Sequence, residues 1–551
     1  MRAMMLDLIC PTGSKLRIRE STMSAEMSQE QIRESKNIVI CCDGTGNQYG
    51  DSNSNVIKLY SVLVRDSEQT AYYHPGVGTI GSKNALTTAG KVWTTLRGLA
   101  FGYGLSENIA DAYQFLMHTY CTGDRIFVFG FSRGAYTARA LCGMLRLVGL
   151  LAPGNEGLIP YALRLYKSAS PGFMVRIIRA LFARPNKLGI AHGFGQTFCR
   201  ACPIHFLGLW DTVSSVGWIL DPIGLKPGRL PYTFDLENVS VVRHAVSIDE
   251  RRAFFRQNLV RHVPGRDIKE VWFAGVHSDV GGSYPEAESG LSKISLRWML
   301  REAVASGLKA DLTAIKTILG ADLAYAKPLY SAVKHNSLTL PWWLGEVWPK
   351  WTKHLVSPPG VEPPKFIGWP RANLFRRRRI QPGARIHESV LARKRLLPDY
   401  RPTNLPDTFT VDTDPQSERY PIRLSVGQTY RVGIHARMKW EDTALWVSKS
   451  EVYQFTASGR WYDASIPSGP EGYCSSKLVL RLFEPLRRYR KANWFALIGA
   501  IGPATSTMFV ISDNSQQTMA EDGMLLCFAN DVPFMYWNNA GWIQLTVARV
   551  N

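Results

Sequence analysis

The sequence predicts an α/β fold on a mostly parallel sheet, followed by a second, all-β domain built as a sandwich. Three observations predict it. From Asn37 onward, short and wholly apolar runs alternate with segments of helical periodicity. Glycine-rich turns follow those runs directly, and from about residue 405 the helical periodicity gives way to short strand-like pieces parted by Gly, Asn and Asp. The chain has 551 residues, more than one hydrophobic core organises, and its 45% hydrophobic content supports more than one.

Residues 1–36 are polar and lack a sustained period, so they read as a loose leader; their apolar stretch is too short for a signal peptide and no small-residue cleavage site follows it. Asn37–Cys42 is an apolar run ending in the turn-rich Asp43-Gly-Thr-Gly-Asn47, as a buried strand entering a loop should be. Ile109, Tyr113, Leu116 and Tyr120 recur at helical spacing, and Gly123 marks that helix's end. Arg125–Gly130 is the next apolar strand, and Ala135–Val148 has helical composition. Ile204–Leu209 and Glu270–Gly275 read as further buried strands, which gives a catalytic α/β domain over 37–334.

Residues 335–404 are rich in Trp, Pro and Arg, including Trp342, Trp343, Trp348, Trp351, Trp369 and the run Arg376–Arg379, and read as an insertion or bridging segment. Residues 405–551 read as the β-sandwich, with Val452–Gly459 and Trp542–Val547 among its strands. The nearly apolar stretch Trp494–Ile511 is broken by Gly499, Gly502 and Pro503, which fits two buried strands around a turn better than a membrane span.

The net charge of +20 attracts the chain to dense phosphate, whether nucleic acid or anionic lipid. No nucleic-acid fold signature is visible, and the basic run sits among tryptophans, which favours lipid over nucleic acid. Nine scattered cysteines, several inside apolar runs, suit buried thiols made in a reducing, cytoplasmic compartment. Cys199 and Cys202 have redox or half-zinc spacing, but no second pair completes a four-ligand site.

Gly130-Phe-Ser132-Arg-Gly134 has the G-x-S-x-G pattern of a nucleophile elbow. The bare pattern is weak; the strand before it and the helix after it make it specific. A serine hydroxyl needs a base to take its proton and a third group to orient that base. With the order Ser, acid, His that an α/β-hydrolase-like sheet uses, the acid is Asp211, after the strand at 204–209, and the base is His277, after the strand at 270–275. All three then emerge at carboxyl ends of parallel strands, where such sheets place their sites. Asp249 is the rival acid and His387 the rival base. The oxyanion needs two amides: Arg133 supplies one, and Gly44 in the Asp43–Asn47 loop is the candidate for the other. A phosphate-cradling reading of that loop lacks the following Lys-Ser/Thr.

Cys42-Asp-Gly-Thr-Gly-Asn47, Gly130-Phe-Ser-Arg-Gly-Ala-Tyr-Thr-Ala-Arg139, Trp210-Asp-Thr-Val213, Ser247-Ile-Asp-Glu-Arg-Arg252, Gly275-Val-His-Ser-Asp-Val-Gly-Gly282 and Ile386-His-Glu-Ser-Val390 together resemble the motif series of the type VI secretion phospholipase effectors. The resemblance covers about 37 to 395. It implies a Ser-Asp-His phospholipase acting on a membrane as an antibacterial effector, exported without a cleavable leader through a secretion apparatus and neutralised by an immunity protein. Phe528-Ala-Asn-Asp-Val-Pro-Phe-Met-Tyr-Trp-Asn-Asn-Ala-Gly541 is similar to the calcium-site segment of the small bacterial galactose-binding lectins. That resemblance implies calcium held by Asp531, Asn538 and Asn539, and a galactose-like sugar beside Tyr462, with no cofactor needed for catalysis. Two alternatives stay open: a carbohydrate esterase or other non-lipolytic carboxylesterase, and a catalytically inactive envelope-binding protein.

Overall fold

The computed structural model describes residues 35–44, 50, 52–76, 103–169, 187–213, 230–262, 264–347, 350–351, 370–397, 399–415, 421–474 and 483–551. Nearly all of the expected leader, Thr45 to Asn47 of the glycine loop, Trp348 and Trp369 lie outside these residues.

Eight strands form one sheet: β1 (Asn37–Cys42), β2 (Gln69–His74), β3 (Arg125–Phe131), β4 (Ile204–Trp210), β5 (Val239–Ser247), β6 (Asp267–Phe273), β7 (Ala384–His387) and β8 (Phe409–Asp412). Their order is β8-β7-β6-β5-β4-β3-β1-β2, and every pairing is parallel. The wholly apolar run at Ile38–Cys42 has this cause. Side chains alternate across a strand, so Ile38 and Ile40 enter one core while Val39 and Cys41 enter the other. The first core packs under α2 (Tyr103–Thr119) and α3 (Arg133–Leu147); the second packs under α1 (Asn55–Ser61) and the long helix Gly290–Ala305. The chain leaves β1 for β2 on one side and returns to β3 on the other, so a topological switch point lies between β1 and β3.

Two strands depart from the expected organisation. β7 lies inside the segment read as an insertion or bridge, and β8 lies inside the residues read as the start of the sandwich, yet both belong to the α/β sheet. They are four residues each, too short to show a period of their own. β5 carries Arg243 and His244 within its buried run, and each has a partner in place. Arg243 pairs with Asp267 and Glu302, and His244 Nδ1 meets Glu270 at 2.7 Å.

The C-terminal residues form two antiparallel sheets. One runs β9 (Thr429–His435), β18 (Asn539–Arg549), β11 (Val452–Asp463), β12 (Ile466–Ser468), with β16 (Ser515–Thr518) also on β11. The other runs β10 (Glu441–Val447), β17 (Gly523–Ala529), β14 (Trp494–Ile501), β13 (Glu471–Tyr473), with β15 (Phe509–Val510) on β14. Phe455, Trp461, Leu497, Leu525 and Leu545 fill the space between them, the pattern of a sandwich. Trp494–Ile511 is thus two strands around a turn, and among the described residues no helix is long and apolar enough to cross a membrane.

A chain of ionic contacts joins the two parts. Arg437, in the turn after β9, donates to Glu288; Glu288 meets His335 Nε2 at 2.9 Å; and His335 Nδ1 meets Asp279 at 2.6 Å. Burial works against charge on His335, but the hydrogen bonds and charges of Asp279 and Glu288 outweigh it and push its pKa up to about 9 from 6.5. A group whose folded pKa is raised adds stability fully present below pH 6.5 and lost as pH rises through about 9. The melting-temperature difference between wild type and His335→Gln should therefore shrink steadily between pH 6 and pH 10. A pH-independent difference would refute the assignment.

Candidate active site

Ser132 sits between β3 and α3 with φ 59°, a left-handed conformation that a non-glycine residue holds only under constraint. The flanking glycines are required by space rather than flexibility. A Cβ on Gly134 would lie 2.2 Å from the Cys42 carbonyl oxygen, and one on Gly130 would lie 2.6 Å from the Gly134 carbonyl. The elbow is thus wedged against the end of β1, and the Ser132 amide donates to the Trp210 carbonyl at 3.1 Å.

Asp211 follows β4 with φ 40°, its amide bonded to Ala245 at 2.7 Å. His277 opens α6 (His277–Gly281). That short helix is fixed by Asp279, whose carboxylate accepts from the Val276 amide, and by Glu250, which accepts from the His277 amide at 3.1 Å. The structure brings the three side chains predicted from sequence into one series: Ser132 Oγ lies 2.8 Å from His277 Nε2, and His277 Nδ1 lies 2.5 Å from Asp211 Oδ2. The Nδ1–H donates to the carboxylate, which leaves the Nε2 lone pair facing the serine hydroxyl.

The electrostatics suit a base. Burial would raise the Asp211 pKa, yet the charge of Arg378 and the bond to His277 overcome it and hold the carboxyl ionised, far below its usual range. His277 is shifted below 6.5, chiefly by burial; Asp211 and Glu250 push it back up, and Arg252 adds to the lowering. Phe131 stacks on the imidazole at 4.7 Å and Phe255 meets it edge-on at 4.8 Å, so the ring sits in an aromatic slot.

The rivals stand elsewhere. Asp249 accepts from the Gly275 amide and the Tyr400 hydroxyl, holding the loop before His277 without touching its imidazole. His387 contacts Ser389 and stacks on Phe273, and burial drops its pKa to about 3. Arg133 opens α3 directly after the nucleophile. The Gly44 amide donates to Asp43 Oδ1 at 2.6 Å, so an oxyanion has to displace that carboxylate oxygen before the amide can serve it.

Two residues escaped the sequence reading. Glu250 lies beside Asp249 in Ser247–Arg252, and nothing local in the sequence separates the roles of the two acids. Arg378 stood in a run of four arginines that read as a lipid-facing surface. Arg376, Arg377 and Arg379 are exposed, whereas Arg378 is 5% exposed and grips both oxygens of Asp211 at 2.5 and 3.0 Å. Nothing local in the sequence separates it from its neighbours. Of the tryptophans, Trp342 packs edge-on against Phe255, and Trp343 is 51% exposed.

In the sandwich, Asp531 and Asn539 are buried and bonded to one another at 3.0 Å, and Asn538 Nδ2 donates to Asp463. Burial, joined by the negative charge of Asp463, pushes the Asp531 pKa up to about 6 despite the bonds from Asn539 and the Val532 amide. The Oδ1 atoms of Asn538 and Asn539 are buried without a hydrogen-bond partner. Two carboxylates short of positive charge and two orphaned amide oxygens fit a hard divalent cation. Among the described residues no group of three or more His, Cys, Asp or Glu is placed to hold a metal ion, so the amides would carry part of the shell. Tyr462 and Trp537, with Phe534, are exposed nearby in sequence.

Comparison with known proteins finds a family model and several relatives. Residues 36–302 match the family model described as T6SS, phospholipase effector Tle1-like, catalytic domain. An uncharacterized protein of Saccharomyces cerevisiae is 37% identical over 235 residues; the match takes in 40% of this chain and spans only 32% of that relative's length. Three solved structures are similar at low identity. An uncharacterized protein from Pseudomonas aeruginosa has 21% identity and TM-score 0.28, over 52% of this chain and 48% of its own. The Tle1 effector bound to the VgrG spike from the Type 6 secretion system has 19% identity and TM-score 0.25, over 52% and 62%. The EclA N-terminal domain, a PllA-like lectin, has 16% identity and TM-score 0.18, over 22% of this chain and 95% of its own. The segment that matches that model, residues 36–302, carries the elbow serine at the end of a central parallel strand.

Proposed function

We propose that the chain is a serine phospholipase, with Ser132 as nucleophile, His277 as general base and acid, and Asp211 as the group that orients it. The observation that carries this reading is the unbroken series Ser132 Oγ, His277 Nε2 and Nδ1, Asp211 Oδ2. Ser132 Oγ attacks the ester carbonyl carbon as its proton passes to His277 Nε2. The carbonyl electrons collect on the oxygen, where the Arg133 amide, and the Gly44 amide once Asp43 releases it, stabilise the charge. Collapse expels the alcohol, which takes the proton from His277, and water repeats the sequence on the acyl-serine. No metal or cofactor enters these steps.

A lipid substrate is supported by the surroundings of the site. Trp343, Val347 and Leu374 are exposed, Trp343 packs on Phe375, and Arg376, Arg377 and Arg379 are exposed on the same stretch. Apolar side chains rimmed by arginine suit an anionic bilayer. The family description names a T6SS effector, so the protein would reach that bilayer through a secretion apparatus; we further propose that it acts against bacteria and is held in check in its producer by an immunity protein. The sandwich would use calcium on Asp531, Asn538 and Asn539, with Asp463, to hold a galactose-like sugar beside Tyr462.

Ser132→Ala and His277→Ala should each cut phospholipid hydrolysis by at least about a thousandfold, to one shared floor, and Asp211→Asn by about ten- to a hundredfold less. Because His277 must be neutral and its pKa is lowered, the acid limb of kcat/KM should lie below pH 6.5. Full activity in Ser132→Ala would sink the reading, and cleavage of acetylated sugars alone would move it to a carbohydrate esterase.

Replacing Arg376, Arg377 and Arg379 together by Gln should weaken sedimentation with anionic phospholipid vesicles at low salt. Unchanged sedimentation would show that this face does not meet lipid. Titration calorimetry of the whole protein should show heat with calcium, and with galactose once calcium is present, and Asp531→Asn should abolish both. A folded protein giving no heat with calcium would leave the sandwich a structural or protein-docking module.

A further inference from the structure

We propose that Arg378 is a positioning residue of this hydrolysis: its guanidinium holds Asp211 in the orientation His277 needs and tempers its charge. The stretch around Arg378 thereby belongs to the catalytic machinery although it lies beyond the matched residues 36–302. The inference rests on the Ser132 reading above.

The geometry of Asp211 carries it. Oδ1 accepts from the Ser247 amide at 2.9 Å and from Arg378 Nη1 at 2.5 Å; Oδ2 accepts from His277 Nδ1 and from Arg378 Nη2. Two parallel donors in a fixed fork define the carboxylate plane, which one amide on one oxygen does not. Without the fork, the carboxylate can turn about its Cβ–Cγ bond and spoil the bond to Nδ1.

Arg378 is itself held at both Nη atoms and at its backbone. Nη1 donates to the Ser247 hydroxyl and carbonyl, Nη2 donates to the Phe255 carbonyl, and the Arg378 carbonyl accepts from Asn404. The chain reaches it through Leu374 and Phe375, two successive left-handed residues with φ 49° and 59°. Such a pair persists only where the surroundings over-determine it. Buried Glu346 does so. Its carbonyl takes the Asn373 and Leu374 amides, one carboxylate oxygen takes the Asn373 side chain and the Phe375 amide, and the other takes the Ala253 amide. A strained turn clamped by a buried acid to deliver one guanidinium is more than a surface run of arginine requires.

Charge follows geometry. The groups facing the relay are Arg378 on Asp211, and Arg252 with Glu250 near His277; Glu250 is paired with Arg252. A cation on both oxygens of Asp211 weakens its pull on the imidazolium, so His277 remains a neutral base to lower pH than Asp211 alone would allow.

The test compares wild type, Arg378→Lys and Arg378→Met by the rate at which a fluorophosphonate labels Ser132 from pH 5 to pH 9, with the His277 imidazole followed by NMR in each protein. Labelling should slow about tenfold in Arg378→Lys and about a hundredfold in Arg378→Met. The acid limb and the NMR titration should be displaced together in Arg378→Met, because both report the same imidazole. Removing both charges, Asp211→Asn with Arg378→Met, leaves no unpaired buried ion, so this pair stays informative where Arg378→Met alone fails to fold. On the Asp211→Asn background the second change should matter less than about threefold, because Arg378 acts through Asp211. Losses that multiply on that background, or folded Arg378 variants with unchanged rate and titration, would overturn the proposal. A wild type that never labels at Ser132 would instead overturn the hydrolase reading, and the NMR titration would still report whether Arg378 governs His277.

Discussion

The site depends on burying one carboxylate. Asp211 is 1% exposed, and an ionised carboxylate taken from water costs several kcal/mol unless partners replace its hydration. Four hydrogen bonds do so, and they come from three separate stretches of chain: the Ser247 amide at the end of β5, His277 after β6, and Arg378 beyond α9 (Leu340–Val347). The carboxylate therefore acts as a gauge of the fold. Only when β4, β5 and β6 lie in register and the 374–378 turn is seated does its burial become tolerable, and that state is also the one in which His277 faces Ser132.

The same rule governs the ions elsewhere in the α/β part. Arg243 lies within β5 against Asp267 and Glu302, and Lys58 and Lys293 share Glu286. Each is a buried charge whose partner comes from another element, so each ties elements together more than it adds net stability. Asp279 extends this to the active site: it caps α6 through the Val276 amide and meets His335, which passes the contact through Glu288 to Arg437 of the sandwich. The helix that presents His277 is thus braced from the second domain.

How far the sequence revealed the fold follows from where the physics is local. A strand buried on both faces must be apolar throughout, and β1, β3 and β4 announced themselves that way. Ser132 was legible because its turn needs glycine on both sides, and Asp211 and His277 because strand-end positions follow once the strands are known. β5 was hidden because Arg243 and His244 are satisfied only by residues distant in sequence. β7 and β8 were hidden by their length. Gly44 read as an oxyanion donor because glycine lets backbone approach a ligand closely, but the carboxylate that occupies its amide appears only in three dimensions. In the sandwich, Asp531, Asn538 and Asn539 were legible as oxygen donors from a local motif, while the like charge of Asp463 beside Asp531 comes from another strand.

The run Arg376–Arg379 shows why composition alone misjudges charge. Counted along the sequence it is four equivalent cations suited to an anionic surface. In space the chain turns through Leu374 and Phe375 and then runs past the end of the sheet, so that Arg378 points inward while its neighbours point out. The inward guanidinium is cancelled by Asp211, and Arg377 lies 3.6 Å from Asp249, so the four cations are not equivalent. One short stretch consequently serves two unlike demands, a buried bidentate contact that sets the triad and an exposed cationic rim. The two can be altered separately because burial, and not residue type, divides them.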